Sequence, residues 1–225
     1  MILVFLGPPG SGKGTYSKRI ADLICIPHIS TGDIFREAIH KKTGLGKRVQ
    51  QYLLRGELVP NEITNRILRE RITHPDCEKG FILDGYPRTL PQAEALDNLV
   101  HVDLVINLVA HEKVLITKLS ARRICAQCGE IYNLANINTI IDGLKYDMPS
   151  ISPKKAGICD KCGGELVHRK DDQVDVITHR MQISNDQTKP IVNYYRSKGI
   201  VEDINVNLGL EKTIPIIMST IKSRT

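Results

Sequence analysis

Glycines at positions 7, 10, 12 and 14 alternate with Pro8-Pro9, Ser11 and Lys13, and the run closes on Thr15. Such a backbone turns tightly and aims its N–H groups inward, while Lys13 adds a mobile cation, so the loop Gly10, Ser11, Gly12, Lys13, Gly14, Thr15 is built to cradle the phosphates of a nucleotide. Its context fits: the apolar run Met1 to Leu6 precedes it and an amphipathic pattern follows. A helix expected to start near Lys13 would turn its positive dipole end toward the anion. Many loops of this kind place Ser or Thr directly after the lysine; here Gly14 stands there and the hydroxyl comes at Thr15, which leaves direct hydroxyl coordination of Mg²⁺ open.

A second set of chemical residues lies around position 84. Asp84 ends the apolar run Phe81-Ile82-Leu83, where a phosphate-loop protein places a carboxylate for Mg²⁺ or its waters. In Gly85-Tyr86-Pro87-Arg88-Thr89-Leu90-Pro91-Gln92, the two prolines stiffen the turn that presents Arg88 and Gln92. A guanidinium suits a phosphate, and a carboxamide suits a base edge.

The cysteines form a third set. Cys125-x-x-Cys128 and Cys159-x-x-Cys162, each followed by glycine, are two knuckles whose ligands suit tetrahedral Zn²⁺, with iron as the second metal that four thiolates accept. Disulfides are disfavoured in the cytosol, so the pattern reads as a structural metal site with all four positions filled. Cys25 and Cys77 stand alone and read as buried or inert thiols.

These residues need a scaffold, and the hydrophobic pattern supplies one. Short apolar runs at Ile2 to Leu6, around His28-Ile29, at Phe81 to Leu83, at Leu104 to Val109 and around Ile200 to Ile204 read as buried parallel strands. Amphipathic stretches separate them: Ile20, Leu23 and Ile24; Ile63 and Ile67; Val114, Leu115 and Leu119. The alternation predicts a three-layer α/β/α core on a parallel five-stranded sheet, with ligands beyond the carboxyl ends of the strands. Pro215, within the pattern Leu210, Ile214, Ile217, Ile221, is expected in the first turn of the last helix.

At 225 residues the chain can bury one sizeable core and carry small insertions. A hydrophobic fraction of 41% with 25% charged residues is that of a folded globular protein, not a disordered one. The net charge of +6 fits either nucleic acid or highly anionic small molecules. Scattered Lys and Arg, three Phe and no Trp favour the small molecules, since stacking on bases needs aromatic faces. No run approaches the ~18 apolar residues of a membrane span, and no leader precedes the first strand, so the expected location is the cytoplasm.

Taken in order, Gly7 to Thr15, Ser30-Thr31-Gly32-Asp33 with Arg36, Asp84 to Arg88 with Gln92, Arg122-Arg123, and Arg169-Lys170-Asp171-Asp172 with Arg180 resemble the adenylate kinases over nearly the whole chain. The resemblance implies reversible transfer of a phosphoryl group from Mg·ATP to AMP, giving two ADP, with ATP and AMP as the partners of a monomer. It implies a core of residues 1–29, 60–120 and 173–225, an AMP-binding flap of 30–59, and a lid of 121–172 containing the cysteines. Lys13, Arg88, Arg122, Arg169 and Arg180 would neutralise the transferring group, with Asp84 holding Mg²⁺. On the ATP side the resemblance adds Lys118, Ile131, Tyr132 and the backbone near Leu208. On the AMP side it adds Thr31 and Gln92 at the base, Arg36 at the phosphate, and Glu57, Leu58, Val59, Gly85, Tyr86 and Pro87 around them. Transfer of this kind needs alignment, positive charge and exclusion of water more than a general base.

Four features depart from the family pattern. Thirty residues lie between Cys128 and Cys159, and the stretch near 136–152 reads as an insertion whose Ile137, Ile140, Ile141, Leu144 and Tyr146 would make an extra lid hairpin or an oligomer contact. Lys118 stands where an arginine commonly stacks on the ATP base; four residues from Arg122, it is expected to share a helix face with it, and an ammonium does not stack as a guanidinium does. Asn205-Val206 replaces an expected Asp-Gly, and Gln127 and Glu130 have no assigned role. The competing readings are a cytidylate or guanylate kinase and a nucleic-acid-binding ATPase with a zinc ribbon.

Overall fold

The computed structural model describes residues 1–224, the side chain of Val174 excepted. The five expected strands form one parallel sheet: β1 (Ile2–Leu6), β2 (His28–Ser30), β3 (Phe81–Asp84), β4 (Leu104–Val109) and the last, β10 (Val201–Asn205), in the spatial order β10-β4-β1-β3-β2. Their apolar runs are continuous because helices cover both faces. One face packs Val4, Leu83 and Val105 with Leu96 and Tyr195, and the other packs Phe5, Ile82 and Ile106 with Ile20 and Ile217.

The helices follow the expected alternation: α1 (Lys13–Ile24), α2 (Thr31–His40), α3 (Gly44–Arg55), α4 (Asn61–Ile72), α5 (Leu90–Asp97), α6 (Glu112–Ser120), α7 (Val174–Ser197) and α8 (Leu210–Arg224). Several starts have local chemical causes. Ser30 caps α2 by accepting from the Asp33 amide, and Thr89 caps α5 by accepting from the Gln92 amide with Pro91 in the first turn. Pro215 is not in the first turn of the last helix: α8 begins at Leu210, where the Lys212 and Thr213 amides donate to the Gly209 carbonyl, so Pro215 sits inside it.

Between α6 and α7 the chain leaves the core. β5 (Arg122–Cys125), β6 (Ile131–Asn133) and β9 (Leu166–Val167) make a small antiparallel sheet that carries the cysteine knuckles. The stretch near 136–152 does form a hairpin, β7 (Ile137–Ile141) and β8 (Leu144–Met148), joined by Asp142-Gly143 with φ of 50° and 77°. Positive φ at both central residues is the signature of a turn whose twist matches that of the strands it joins. The hairpin's apolar face does not pack on the small sheet. Ile137, Tyr146 and Met148 close on Val114 of α6, leaving Ile140 outside at 70% exposure.

Arg122 opens β5, and α6 has already ended at Ser120. Lys118 and Arg122 therefore do not share a helix face; a turn at Ala121 intervenes, and the two meet only because both point into the same cleft.

A two-chambered nucleotide site

The carboxyl ends of β1 and β3 are adjacent, with Phe5 paired to Asp84, so the phosphate loop and the Asp84 carboxylate emerge side by side. The fit is tight: a Cβ on Gly14 would lie 3.0 Å from Asp84 Oδ2. A side chain at position 14 would therefore need this carboxylate to give way by a few tenths of an ångström. Lys13 curls back so that its Nζ donates to the Gly7 and Pro8 carbonyls at 2.6 and 2.9 Å. Burial pushes its pKa down to about 7; Asp84 opposes the shift, and Arg88, Arg180 and Arg122 add to it.

Asp84 is held ionised. Burial works against its charge, but His28, with Nε2 3.6 Å away, and the cations Lys13 and Arg88 together keep its pKa below the ordinary carboxylate value. His28 also meets the Ser17 hydroxyl at 2.9 Å. Neither residue was singled out for this site from sequence; the position of His28 at the first residue of β2 was the available signal.

Two clefts open over the strand ends. The larger, about 1320 Å³, runs from Gly10–Tyr16 and Asp84 past Lys118 and Arg122 to Ile131. The smaller, about 580 Å³, is walled by Thr31, Phe35, Glu57–Val59, Thr64 and Gln92. Arg36, Arg88, Arg169 and Arg180 line both and form the partition between them. Arg88 is oriented by donation from Nε to the Gly85 carbonyl at 2.9 Å, and Thr31 Oγ1 donates to the same oxygen at 2.8 Å. Arg36 pairs with Asp33.

Arg122, Arg169 and Arg180 are held by two aspartates. Asp172, whose side chain is fully buried, accepts from Nε and Nη2 of Arg122 at 2.8 and 2.5 Å and from Arg180 Nη1 at 3.1 Å. Asp171 accepts from Arg169 at 3.0 and 2.8 Å. Burial, with Arg169 adding to it and Asp172 resisting, lowers the pKa of Arg122 to about 10. Burial would raise Asp171, but Arg169 and Arg180 win and hold it far below the usual range. The sequence displayed Asp171-Asp172 as part of a motif without revealing what they do; only burial against three guanidinium groups does that.

Not every expected residue faces a cleft. The Tyr132 ring turns toward the cysteines, its hydroxyl 3.6 Å from Cys159 Sγ and accepting from the Asp160 amide. Leu208 lies against β8, while its neighbours Gly209 and Leu210 line the larger cleft. Tyr86 is buried and donates to Asn65 and the Gln92 carbonyl, and Pro87 faces a third, adjoining cavity. The Gln92 side chain lines the smaller cleft but is already engaged: Oε1 accepts from the Arg88 amide at 2.7 Å, and Nε2 donates to Asn61 at 2.8 Å. Ser11 is fully buried behind the loop.

The four cysteine sulfurs lie within 4.8 Å of one another, with 3.4 Å between Cys125 and Cys162 and 3.6 Å between Cys128 and Cys159. Thiolates about 2.3 Å from a tetrahedral ion stand roughly 3.8 Å apart, so the cluster fits a four-coordinate metal. Of the two remaining cysteines, Cys25 is exposed and Cys77 is buried. Glu130 of the first knuckle pairs with Lys18 of α1 at 3.2 Å, and Gln127 packs on Gly164.

A phosphate loop, an adjacent strand-end carboxylate and a partition of arginines between two clefts define a P-loop phosphotransferase of the nucleoside monophosphate kinase type. Comparison with known proteins narrows the class. The family model described as "Adenylate kinase" matches residues 5–200. Curated proteins named adenylate kinase are 45% identical in Archaeoglobus fulgidus, over 99% of this chain and all of that one, and 43% identical in Thermosipho melanesiensis over the same shares. The Thermotoga maritima relative is 42% identical over 97% of this chain and 96% of its own. The chain belongs to the adenylate kinase family, whose reaction is ATP + AMP = 2 ADP with Mg²⁺ accompanying the ATP.

Proposed function

We propose that the larger cleft takes Mg·ATP, the smaller takes AMP, and the phosphoryl group passes between them across the arginine partition. One observation carries this division: Arg36, Arg88, Arg169 and Arg180 each line both clefts, so positive charge concentrates where the two nucleotides' phosphates would meet. The uncharged end of the smaller cleft, with Phe35, Val59 and Thr31, suits a base.

In the donor cleft, the loop amides from Gly10 to Thr15 and Lys13 bind the triphosphate, and Arg122 faces its outer phosphates. Asp84, ionised and beside the loop, would hold Mg²⁺ or its waters, and the ion would supply positive charge against that of the phosphates. Arg36 and Arg88 hold the AMP phosphate as attacking group. Its oxygen is already anionic, so alignment and charge suffice without a general base. Thr31 and the Glu57–Val59 backbone contact the acceptor base, and Gln92 braces Arg88 as well as facing the base.

The division into a core (1–29, 60–120, 173–225), an AMP flap (30–59) and a lid (121–172) follows from the same reading. The metal in the lid is zinc, which four thiolates at this spacing suit, with iron as the alternative that metal analysis separates. No helix among the described residues is long and apolar enough to cross a membrane. The working form is a cytoplasmic monomer that uses no nucleic acid. Coupled assays with ATP against AMP, CMP, UMP and GMP test the reading. Preferred transfer to AMP supports it; preferred transfer to another acceptor, or turnover only with added DNA or RNA, overturns it.

A further inference from the structure

The inserted hairpin belongs by sequence to the lid but is fastened to the core. Its Asp147 amide donates to the Asn207 carbonyl at 2.8 Å, and Asn207 Nδ2 returns a bond to the Lys145 carbonyl at 2.9 Å. Lys212 pairs with Asp147 at 3.3 Å, and the His111 amide donates to the Tyr146 hydroxyl at 3.0 Å. Beneath these bonds, Ile137, Tyr146 and Met148 are packed on Val114. At the hairpin's root, Pro149 sits so close to the turn before α8 that a Cβ on Gly209 would meet its Cδ at 2.9 Å.

Ile137, Met148 and Pro149 also line the larger cleft, together with Lys118, Gly209 and Leu210. We propose that the hairpin is a fixed wall of the donor-base pocket, with Ile137, Met148 and Pro149 as determinants of donor affinity that a lid without the insertion would lack. The inference rests on the larger cleft being the donor site. Three apolar side chains contribute area to a base's face and no hydrogen bonds to its edge, which complements Lys118, whose ammonium cannot stack. The backbone next to the wall is already engaged, the Asn207 carbonyl by the Asp147 amide of the hairpin and the Leu208 carbonyl by the Thr213 hydroxyl of α8. The wall is thus tied to the core as well as to the small cysteine-bearing sheet, where Ile151 just beyond the hairpin pairs with Asn133 of β6.

Steady-state kinetics on the metal-loaded full chain test this with Met148→Ser, Pro149→Ala and, as a control on the exposed outer face, Ile140→Ser. For Met148→Ser the KM for ATP should rise about tenfold, the loss expected from ~1.4 kcal/mol of apolar contact. Pro149→Ala should raise it about threefold. The KM for AMP and the kcat should stay within twofold in both, Met148→Leu should restore the parent value, and Ile140→Ser should match the parent throughout. An unchanged KM for ATP in the folded Met148→Ser protein, or equal rises for ATP and AMP, overturns the proposal. If Met148→Ser does not fold, Pro149→Ala decides alone on the same two criteria. Failure of the parent chain itself to transfer phosphate from ATP to AMP would instead remove the donor-site reading beneath it.

Discussion

Arg122 and Asp172 stand on either side of the cysteine-bearing segment and meet in a two-pronged ion pair at 2.8 and 2.5 Å, with the carboxylate wholly out of solvent. The pair fastens the start of β5 to the turn before α7 and fixes the plane of a guanidinium that lines the larger cleft. Two parallel bonds hold orientation as well as distance, which a lysine at 122 could not supply.

Asp172→Asn removes the charge that Arg122 and Arg180 share. Breaking a buried pair by changing one partner costs about 3–5 kcal/mol, so the melting temperature should fall by several degrees and kcat should drop as two arginines lose their alignment. Thermal melts with and without a bisubstrate analogue check this, with the analogue's phosphates restoring part of the lost stability.

Arg88→Ala and Arg122→Ala should each lower kcat by about 10³ or more, the scale seen when a charge-stabilising arginine is lost in phosphoryl transfer, and Arg122→Ala should also lower the melting temperature because the buried Asp172 loses a partner. Near-parental turnover in both, measured by coupled ADP detection, would refute their assignment.

Lys13 gives a pH signature. With its pKa near 7 in the empty loop it is largely neutral at pH 8, and a bound triphosphate would restore the charge. ATP binding at pH 8 should therefore take up protons, and the uptake should fade below pH 6, where Lys13 is already protonated. Titration calorimetry in buffers of different ionisation heat reads the uptake directly. The same depressed pKa means the unfolded chain binds more protons than the folded one between about pH 7 and 10.5, so this group makes the apo protein more stable as pH rises through that window.

Cys125→Ser, or chelation of the metal, should lower heat resistance before it lowers catalysis. The cysteine-bearing sheet surrounds a small cluster of Cys125, Tyr132 and Cys159 with Leu166 at its edge, too little apolar surface to fold alone. Equal melting profiles for the metal-loaded and metal-free proteins would count against a structural ion.

The phosphate loop, the five strands and the cysteine knuckles were legible in sequence because each is local: a glycine spacing, an apolar run, a four-residue repeat. The boundary at Ala121 was not, since a four-residue spacing between Lys118 and Arg122 looks the same whether or not the helix continues. Pro215 misled for a related reason: proline favours a first turn, but the Gly209 carbonyl had already started α8 five residues earlier. The pairing of Asp172 with Arg122 and the link between Glu130 and Lys18 required the tertiary structure, because the partners lie far apart along the chain. The insertion was visible and its hairpin expected, yet its attachment to α6 depends on which face of Ile137, Tyr146 and Met148 finds Val114, which no local pattern specifies.

β1 occupies the middle of its sheet, with Phe5 flanked by Asp84 on one side and Ile106 on the other. The phosphate loop therefore acquires its full setting only after two strands remote in sequence, and Arg180 beyond them, have closed on it. Pairing between segments so far apart along a chain is slow to form, which leaves this hydrophobic strand open to wrong partners until both of its own have arrived.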